Sequence, residues 1–259
     1  IKKYMTIKKR EGKRVPRYIQ EDVDSAQSIS KIAKEFMRMK RLSFSLTDKQ
    51  KDLLSILKSN KIVTVTGPPG TSKTFIACYA AMQMFMDGRV SKIILSKPTE
   101  VLSGTKDLGA LPGSLEEKVK EYVESFVDAF DEFLDTKDFK HLWAEKLIEF
   151  KPAQFLRGRT LKDSFIIIDE FQNFDIKALK SIVTRLGRNS TIVFMGDTKQ
   201  NDIGKRYVAV DFFNKVIDGI DGCSSFKFNR EDIVREKILI DLIDRFESLE
   251  DEMPDTKRD

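Results

Sequence analysis

The stretch IVTVTGPPGTSKT at residues 62–74 is the strongest indication of the fold class of this chain. Its first five residues are all β-branched, which is typical of a strand buried on both faces, and we predict a strand over residues 61–66. A turn rich in glycine and proline follows, and the apolar run from residue 73 to about residue 86 predicts a buried helix. A strand, a glycine-rich turn and a helix in this order form the setting in which backbone N–H groups cradle phosphates.

The turn has the spacing of a phosphate-binding loop that ends in lysine and threonine. Lys73 is placed to reach the β- and γ-phosphate oxygens of a nucleotide, and Thr74 is placed to hold Mg²⁺. Ser72 stands where this pattern has a glycine, and a left-handed backbone there would cost a serine about 1–2 kcal/mol. The predicted nucleotide-binding residues of the loop are Gly67, Pro68, Pro69, Gly70, Thr71, Ser72, Lys73 and Thr74.

Two later predicted strands also end in polar residues. The run FIIIDE at residues 165–170 is an apolar strand followed by two carboxylates. Downstream of a phosphate-binding loop, Asp169 is expected to bind Mg²⁺ and Glu170 to polarise the attacking water. The strand at residues 191–195 leads into a polar turn in which Gln200 could sense the γ-phosphate, although an ordinary strand-end turn has the same composition. Gln50, upstream of the first strand, is either an adenine reader or an exposed helical glutamine.

Apolar strands alternate with helical patterns along the chain, which predicts an α/β fold with a mostly parallel sheet covered by helices on both faces. Ligands of such sheets bind at the carboxyl ends of the strands, where the polar motifs fall. We expect a basic N-terminal arm and helix at residues 1–42, an ATPase domain at residues 43–250 and an acidic tail at residues 251–259. Helices are predicted near residues 24–42, 47–57, 73–86, 119–134, 137–149, 175–186 and 230–249.

Composition and charge exclude several classes of protein. The 41% hydrophobic residues support a packed core, but no run of about 18 apolar residues could span a bilayer, so we expect a soluble, cytoplasmic protein without a membrane partner. Two cysteines and one histidine make neither a disulfide framework nor a metal cluster. Residues 1–41 carry 13 Lys/Arg and 5 Asp/Glu, whereas the remainder is slightly acidic. This arm either follows a nucleic-acid backbone or is a solvated tail.

Together these motifs resemble the PhoH family, whose ATPase core is related to that of superfamily-one helicases. The resemblance implies a RecA-like fold, ATP and Mg²⁺ as ligands, and action on RNA or single-stranded DNA. It makes Gln50 the adenine reader, Asp169 and Glu170 the catalytic acids, and Gln200 the γ-phosphate sensor. The chain departs from the family at Ser72, at Phe171 and at Lys97. Beyond the loop, the matching stretches are GTKDLGALPGSLEEK (104–118), FLRGRTLKDS (155–164), IIIDEFQN (166–173), TRLG (184–187), GDTKQND (196–202) and EDIVRE (231–236), which include Arg157, Arg159, Arg185 and Arg235.

The chain has room for one RecA-like domain, so a transition-state arginine must come from that domain or from a neighbouring subunit. We therefore expect a homo-oligomer, with a hexameric ring as the favoured form. In this arrangement Arg235 reaches the nucleotide site of the neighbouring subunit. Arg185 is the second choice, acting within its own chain. The favoured function is an ATP-driven nucleic-acid translocase or helicase-like motor. An ATP-dependent assembly switch acting on a protein partner and a P-loop kinase are the alternatives.

Overall fold

The computed structural model describes residues 39–98, 115–158, 160–197 and 209–236, together with isolated positions between 238 and 249. The predicted basic arm, the polar turn with Gln200 and the acidic tail lie outside the described residues, as does most of the helix predicted at residues 24–42. Residues 39–42, at the end of that prediction, are not helical. The domain boundaries stay predictions.

In the described part of the chain, six strands form one sheet in which every neighbouring pair is parallel. The strands are β1 (Ile62–Thr66), β2 (Lys92–Ser96), β3 (Ile148–Phe150), β4 (Ser164–Ile168), β5 (Thr191–Gly196) and β6 (Cys223–Lys227). Their spatial order is β3-β2-β4-β5-β1-β6, so β1 and β4 lie on either side of β5. Thr66 of β1 pairs with Gly196 of β5, and Ile168 of β4 pairs with Phe194, which brings the carboxyl ends of these strands to one edge. The predicted RecA-like α/β class is thereby confirmed.

Helices cover both faces of the sheet, as predicted. Successive strand residues point to opposite faces, so Phe165 and Ile167 pack in one core layer while Ile166 and Ile168 pack in the other. The described helices are α1 (Asp48–Ser59), α2 (Lys73–Met86), α3 (Leu115–Asp131), α4 (Thr136–Ala144), α5 (Ile176–Val183) and α6 (Ala209–Ile217). The first layer contains α1 to α4, and the second contains α5, α6 and the short helical turn Ala153–Gly158.

The helix predicted at residues 137–149 is wrong in its second half. It ends at Ala144, Lys146 is left-handed with φ of 56°, and the chain turns into β3 at the edge of the sheet. The pairing of Ile148 with Ile93 is a long-range contact, which helical periodicity does not reveal.

The helix predicted at residues 230–249 does not begin at residue 230. Residues 230–232 form a 3-10 turn, and an extended segment follows in which Val234 donates its N–H to the carbonyl oxygen of Gly70 at 3.0 Å.

Helix α5 ends at Val183 rather than at residue 186, so Gly187 is not the residue that ends it. A Cβ there would collide with the backbone oxygen of Leu161. Strand β6 and helix α6 were not predicted.

Candidate active site

A cleft of about 800 Å³ opens at the carboxyl edge of the sheet. The phosphate-binding loop forms its floor, and Asp169, Glu170 and Asp197 stand at the ends of β4 and β5 beside it. Helices α1 and α3 form two of its walls. The phosphate-binding loop, the two acids after β4 and Gln50 therefore line one cavity.

The loop adopts a backbone that requires glycine at two of its positions. Gly67 has φ of 146°, and a Cβ there would lie 2.7 Å from Cβ of Phe228 and 2.8 Å from its carbonyl oxygen. Gly70 has φ of 84°, and a Cβ would lie 2.9 Å from Cδ of Arg235. The loop thus lies close against the segment that follows β6, which supplies both Phe228 and Arg235.

Ser72 is left-handed, with φ of 65° and ψ of 28°, immediately before α2. Its side chain makes no capping hydrogen bond to that helix. The backbone at this position is thus left-handed, so Ser72 bears a strain of about 1–2 kcal/mol that a glycine would not.

Lys73 holds its own loop in shape. Its Nζ donates hydrogen bonds to the carbonyl oxygens of Gly67 at 2.6 Å and of Pro68 at 2.8 Å. Burial lowers the pKa of Lys73, and the negative charges of Asp197, Asp169 and Glu170 oppose that shift. The ammonium group is therefore partly desolvated and lies where an anionic ligand would stabilise it.

Asp169 lies at the floor of the cleft and is 8% exposed. Its Oδ1 accepts the N–H of Glu170 at 3.1 Å, and its Oδ2 lies 3.5 Å from Nζ of Lys97. Burial raises the pKa of Asp169, and the charge of Lys97 opposes the rise. A second cation at this carboxylate would therefore be stabilising.

Glu170 occupies a left-handed backbone position with φ of 55°, which is uncommon for a residue with a side chain. Its Oε2 accepts a hydrogen bond from Nε2 of Gln172 at 2.5 Å. Burial, and next the charge of Asp169, raise the pKa of this carboxyl group. A carboxylate with a raised pKa is a better proton acceptor than an ordinary glutamate.

Gln172, Lys97 and Asp197 are site residues to which the sequence analysis gave no role. Gln172 bridges two strand ends, because its Nε2 donates to Glu170 while its Oε1 accepts the N–H of Asp197 at 3.2 Å. A Cβ on Gly196 would collide with that same oxygen, which explains the glycine at the end of β5. The stretch IIIDEFQN included Gln172, but only the fold brings it to β5.

Lys97 follows β2 and links the acids to helix α3. Its Nζ lies 2.8 Å from Oγ of Ser125 and 5.2 Å from the centre of the Phe126 ring, in addition to its contact with Asp169. The sequence marked Lys97 as a departure from the family, in which an arginine is usual. It did not indicate that the side chain reaches the acids.

The donor set fits Mg²⁺ and a nucleoside triphosphate. Thr74 and Asp169 both line the cleft next to the loop. The described residues contain no cluster of three or more His, Cys, Asp or Glu that could hold a metal. Mg²⁺ commonly uses one or two protein ligands and completes its shell with substrate phosphates and water. Asp169 and Thr74 therefore suffice only in company with phosphates, as a P-loop site requires.

Gln50 lies in the wall of the cleft and is 4% exposed, so the interpretation as an exposed helical glutamine is wrong. It completes a capping box with Thr47: its Oε1 accepts the N–H of Thr47 at 3.0 Å, and its own N–H donates to Oγ1 of Thr47 at 3.2 Å. Because this bond occupies Oε1, the Nε2 amide is the group with which Gln50 could contact a base.

Arg235 lies beside the phosphate-binding loop of its own chain and lines the cleft. The hydrogen bond from Val234 to Gly70 fixes the segment that carries it. The described geometry places this arginine at the loop of its own chain and so favours action in cis over the predicted reach to a neighbouring subunit.

Arg185 does not reach the cleft of its own chain. Its carbonyl oxygen accepts the N–H of Leu161 at 2.8 Å, just before β4 begins, so it lies at the amino edge of the sheet. Helix α5 starts after the carboxyl end of β4 and runs back across the face of the sheet, which carries its last turn away from the site. Gln200 and Arg159 lie outside the described residues, and so does the side chain of Arg157.

The parallel sheet, the loop and the acids that end β4 define a P-loop nucleotide-binding protein of the RecA-like class. The family model described as "PhoH-like protein" matches residues 44–247. The chain therefore belongs to the PhoH-like protein family.

Curated relatives and solved structures are similar to this chain over most of its length. It is 33% identical over 199 residues to the PhoH-like protein of Bacillus subtilis (strain 168), which covers 76% of this chain and 62% of the relative. It is 34% identical over 207 residues to the PhoH-like protein of Mycobacterium tuberculosis (strain ATCC 25618 / H37Rv), which covers 78% of this chain and 57% of the relative. The chain thus spans less than two thirds of these relatives.

Among solved structures, the large terminase of a thermophilic bacteriophage matches with a TM-score of 0.47 and 10% identity, covering 78% of this chain and 50% of the terminase. The Hef helicase domain of Pyrococcus furiosus matches with a TM-score of 0.42 and 15% identity, covering 71% of this chain and 38% of the helicase.

None of the helices in the described part of the chain combines the length and apolar character needed to cross a bilayer.

Proposed function

We propose that this chain hydrolyses ATP in the presence of Mg²⁺ and uses the reaction to act on RNA or single-stranded DNA as a translocase or helicase-like motor. The observation that carries the proposal is the convergence of Lys73, Asp169, Glu170 and Arg235 in one cleft at the carboxyl edge of the sheet. These four groups provide two cations for phosphate oxygens, a metal ligand and a base.

Lys73 is the residue that would bind the β- and γ-phosphates. In the described structure its ammonium group is bound to two carbonyl oxygens of the loop. Phosphate oxygens are anionic and make stronger hydrogen bonds than carbonyl oxygens. Exchange of one set of acceptors for the other would therefore favour nucleotide binding and couple it to the shape of the loop.

Glu170 is the residue that would take the proton of the attacking water. Its raised pKa suits it to that task, and its bond to Gln172 fixes the orientation of the carboxylate. Because Gln172 also accepts the N–H of Asp197, one side chain links the base to the end of β5. This connection is a route by which the state of the phosphate could reach the segment after β5.

The charge that develops on the γ-phosphoryl group needs cations. Mg²⁺, held by Asp169 and Thr74, would supply electrophilic stabilisation of the phosphate oxygens. Arg235 would supply a second cation from the same chain, and such an arginine contributes about 10³–10⁵ to the rate in comparable phosphoryl transfers. The domain that holds the phosphate-binding loop would therefore provide its own arginine.

The basic arm, residues 1–41, and the family resemblance support nucleic acid as the partner. A homo-oligomer, with a hexameric ring as the first form to test, remains part of the proposal. Since Arg235 lies at its own loop, the oligomer is no longer needed to supply that residue. A direct measurement of mass in solution, with and without nucleotide, tests this part separately.

The decisive experiment compares ATP turnover with and without a panel of single-stranded RNAs and DNAs. We expect turnover that requires Mg²⁺ and rises with at least one strand. Lys73→Ala and Glu170→Gln should both abolish turnover, while only Glu170→Gln should keep ATP binding. Glu145→Gln, which removes an exposed carboxylate from the end of α4, is the matched control and should retain the parental rate. Parental turnover in Glu170→Gln would show that another group is the base, and turnover without any response to strands would reject the motor.

A further inference from the structure

One motif of the family resemblance has no part in the cleft. Part of the stretch FLRGRTLKDS, residues 155–164, lines a second groove of about 600 Å³. Phe155, Leu161, Lys162 and Ser164 of this stretch line the groove together with residues of strands β2 and β3. None of these four residues lines the nucleotide cleft. The groove is therefore a second surface, separate from the nucleotide cleft, on which a ligand could bind.

The groove exists because the sheet is thinly covered at this edge. Strand β3 has three residues and forms the edge next to β2. Among the described residues, the face in front of β2 and β3 is covered by the short helical turn Ala153–Gly158 rather than by a full helix. Ile94 is buried at the base of the groove, and Glu149 pairs beside it on the same face. The floor of the groove is thus formed by the sheet itself.

The walls of the groove are positively charged. Oε1 of Glu149 lies 3.1 Å from Nζ of Lys92 and 2.8 Å from Nζ of Lys151. Burial alone would raise the pKa of Glu149, but the two ammonium groups hold it below its usual value. Glu149 therefore stays ionised and holds two lysines in place. With Lys162, the charged residues that line the groove are three lysines and one glutamate, which leaves an excess of positive charge.

Phe155 gives this groove an aromatic surface. Its side chain is 69% exposed, the largest exposure among the large hydrophobic residues that the structure describes. Its N–H donates to the carbonyl oxygen of Pro152 at 2.9 Å, which fixes the start of the helical turn. Phe150 of β3 instead packs in the first core layer, where its ring stacks on Tyr122 of helix α3 with 6.1 Å between ring centres. An exposed ring beside fixed ammonium groups is suited to an anionic ligand with planar bases.

We propose that this groove binds single-stranded nucleic acid, with a base stacked on Phe155 and the neighbouring phosphates on Lys151 and Lys162. The proposal rests on the proposed function, because it locates the strand contact of that same motor. Single strands are favoured over duplex, since a base inside a duplex has no free face for the ring. RNA and DNA share this chemistry, so both are used as probes.

The test measures binding of the full chain to fluorescein-labelled 15-mers of uridylate and of thymidylate by anisotropy, over a range of salt concentrations. Phe155→Ala should weaken binding by about 5- to 150-fold, as expected for loss of one stacked base, whereas Phe155→Trp should retain it. Lys162→Ala should reduce the slope of log affinity against log salt by about 0.7, the loss of one phosphate contact. Phe212→Ala and Lys215→Ala, which change an exposed ring and an exposed ammonium group on helix α6, are the matched controls and should bind as the parent does.

Crosslinking provides a second measurement that does not depend on a variant. A 4-thiouridine 15-mer, irradiated with the parental chain, should attach to a peptide that contains Phe155. Parental affinity in Phe155→Ala, together with crosslinks only elsewhere, would overturn the groove while leaving the motor in place. Failure of the parental chain to bind any strand would instead overturn the nucleic-acid part of the proposed function. A Phe155→Ala chain that loses self-association and keeps its strand affinity would show that the groove is a protein interface, which also overturns the proposal.

Discussion

Replacement of Ser72 by glycine tests the structure at the most unusual position of the loop. Ser72 is left-handed with φ of 65°, and its hydroxyl makes no capping bond to α2. Relief of the left-handed conformation is worth about 1–2 kcal/mol. Glycine also gives the unfolded chain more freedom, which offsets about 0.4–1 kcal/mol of that gain. We therefore expect Ser72→Gly to stabilise the protein by about 1 kcal/mol.

Thermal unfolding and nucleotide titration measure this effect. For a chain of this size, a gain of about 1 kcal/mol raises Tm by about 2–4 °C. ATP affinity should rise or stay constant, because a relaxed loop keeps its shape without strain. Lys146→Gly is the matched control: Lys146 is also left-handed, with φ of 56°, but it is exposed at the end of α4, away from the cleft. It should raise Tm similarly and leave ATP affinity unchanged.

A specific result would refute the interpretation of Ser72 as strained. If Ser72→Gly weakens ATP binding or turnover while Lys146→Gly does not, the hydroxyl of Ser72 donates to a phosphate. If Ser72→Gly lowers Tm while Lys146→Gly raises it, the side chain of Ser72 contributes a stabilising contact that outweighs the backbone strain.

The site and the basic arm lead to four further predictions. A mixture of Lys73→Ala and Arg235→Ala chains, each inactive alone, should recover no turnover, because both residues belong to the site of one chain. Recovered turnover would show that Arg235 acts in the site of a neighbouring subunit. Because the pKa of Glu170 is raised, turnover should fall on acidification at a pH above the ordinary glutamate value of about 4.3. For the same reason the folded protein is destabilised when the carboxyl group of Glu170 is ionised, so Glu170→Gln should raise Tm at pH 7. This gain in Tm should vanish as the pH falls below the pKa of an ordinary glutamate. Deletion of residues 1–20, which carry eight Lys/Arg and one acid, should flatten the salt dependence of nucleic-acid binding and leave ATP turnover without a strand unchanged.

Local patterns predicted the central strands and the loop with good accuracy. Strands β1, β4 and β5 are apolar or β-branched runs bounded by polar residues, and helix α2 was predicted with the bounds that it has. Strand β6, with the sequence CSSFK, was missed because alternate residues face solvent and serine has no strong preference for strands. It is a strand because it pairs with β1, which only the fold provides.

The positions of the two candidate arginines could not be predicted from their distance along the chain. Arg185 follows an acidic motif by fifteen residues and Arg235 by sixty-five, yet it is the distant one that lies at the loop. A helix that crosses back over a parallel sheet carries its end to the opposite edge, and this explains Arg185. The segment after β6 returns to the loop because Val234 pairs with Gly70, a contact across more than 160 residues that no periodicity encodes.

Local patterns were sufficient to predict the elements whose chemistry is local: the phosphate-binding loop, the apolar strand that presents Asp169 and Glu170, and the alternation that requires a parallel sheet. These depend on backbone freedom, side-chain branching and burial of neighbours along the chain. The fold was needed to place Lys97 beside Asp169, to link Glu170 to β5 through Gln172, and to bring Phe155 and Lys162 into a groove apart from the cleft. Such contacts join residues from different strands, and their distances are set by strand order and by packing across the whole sheet.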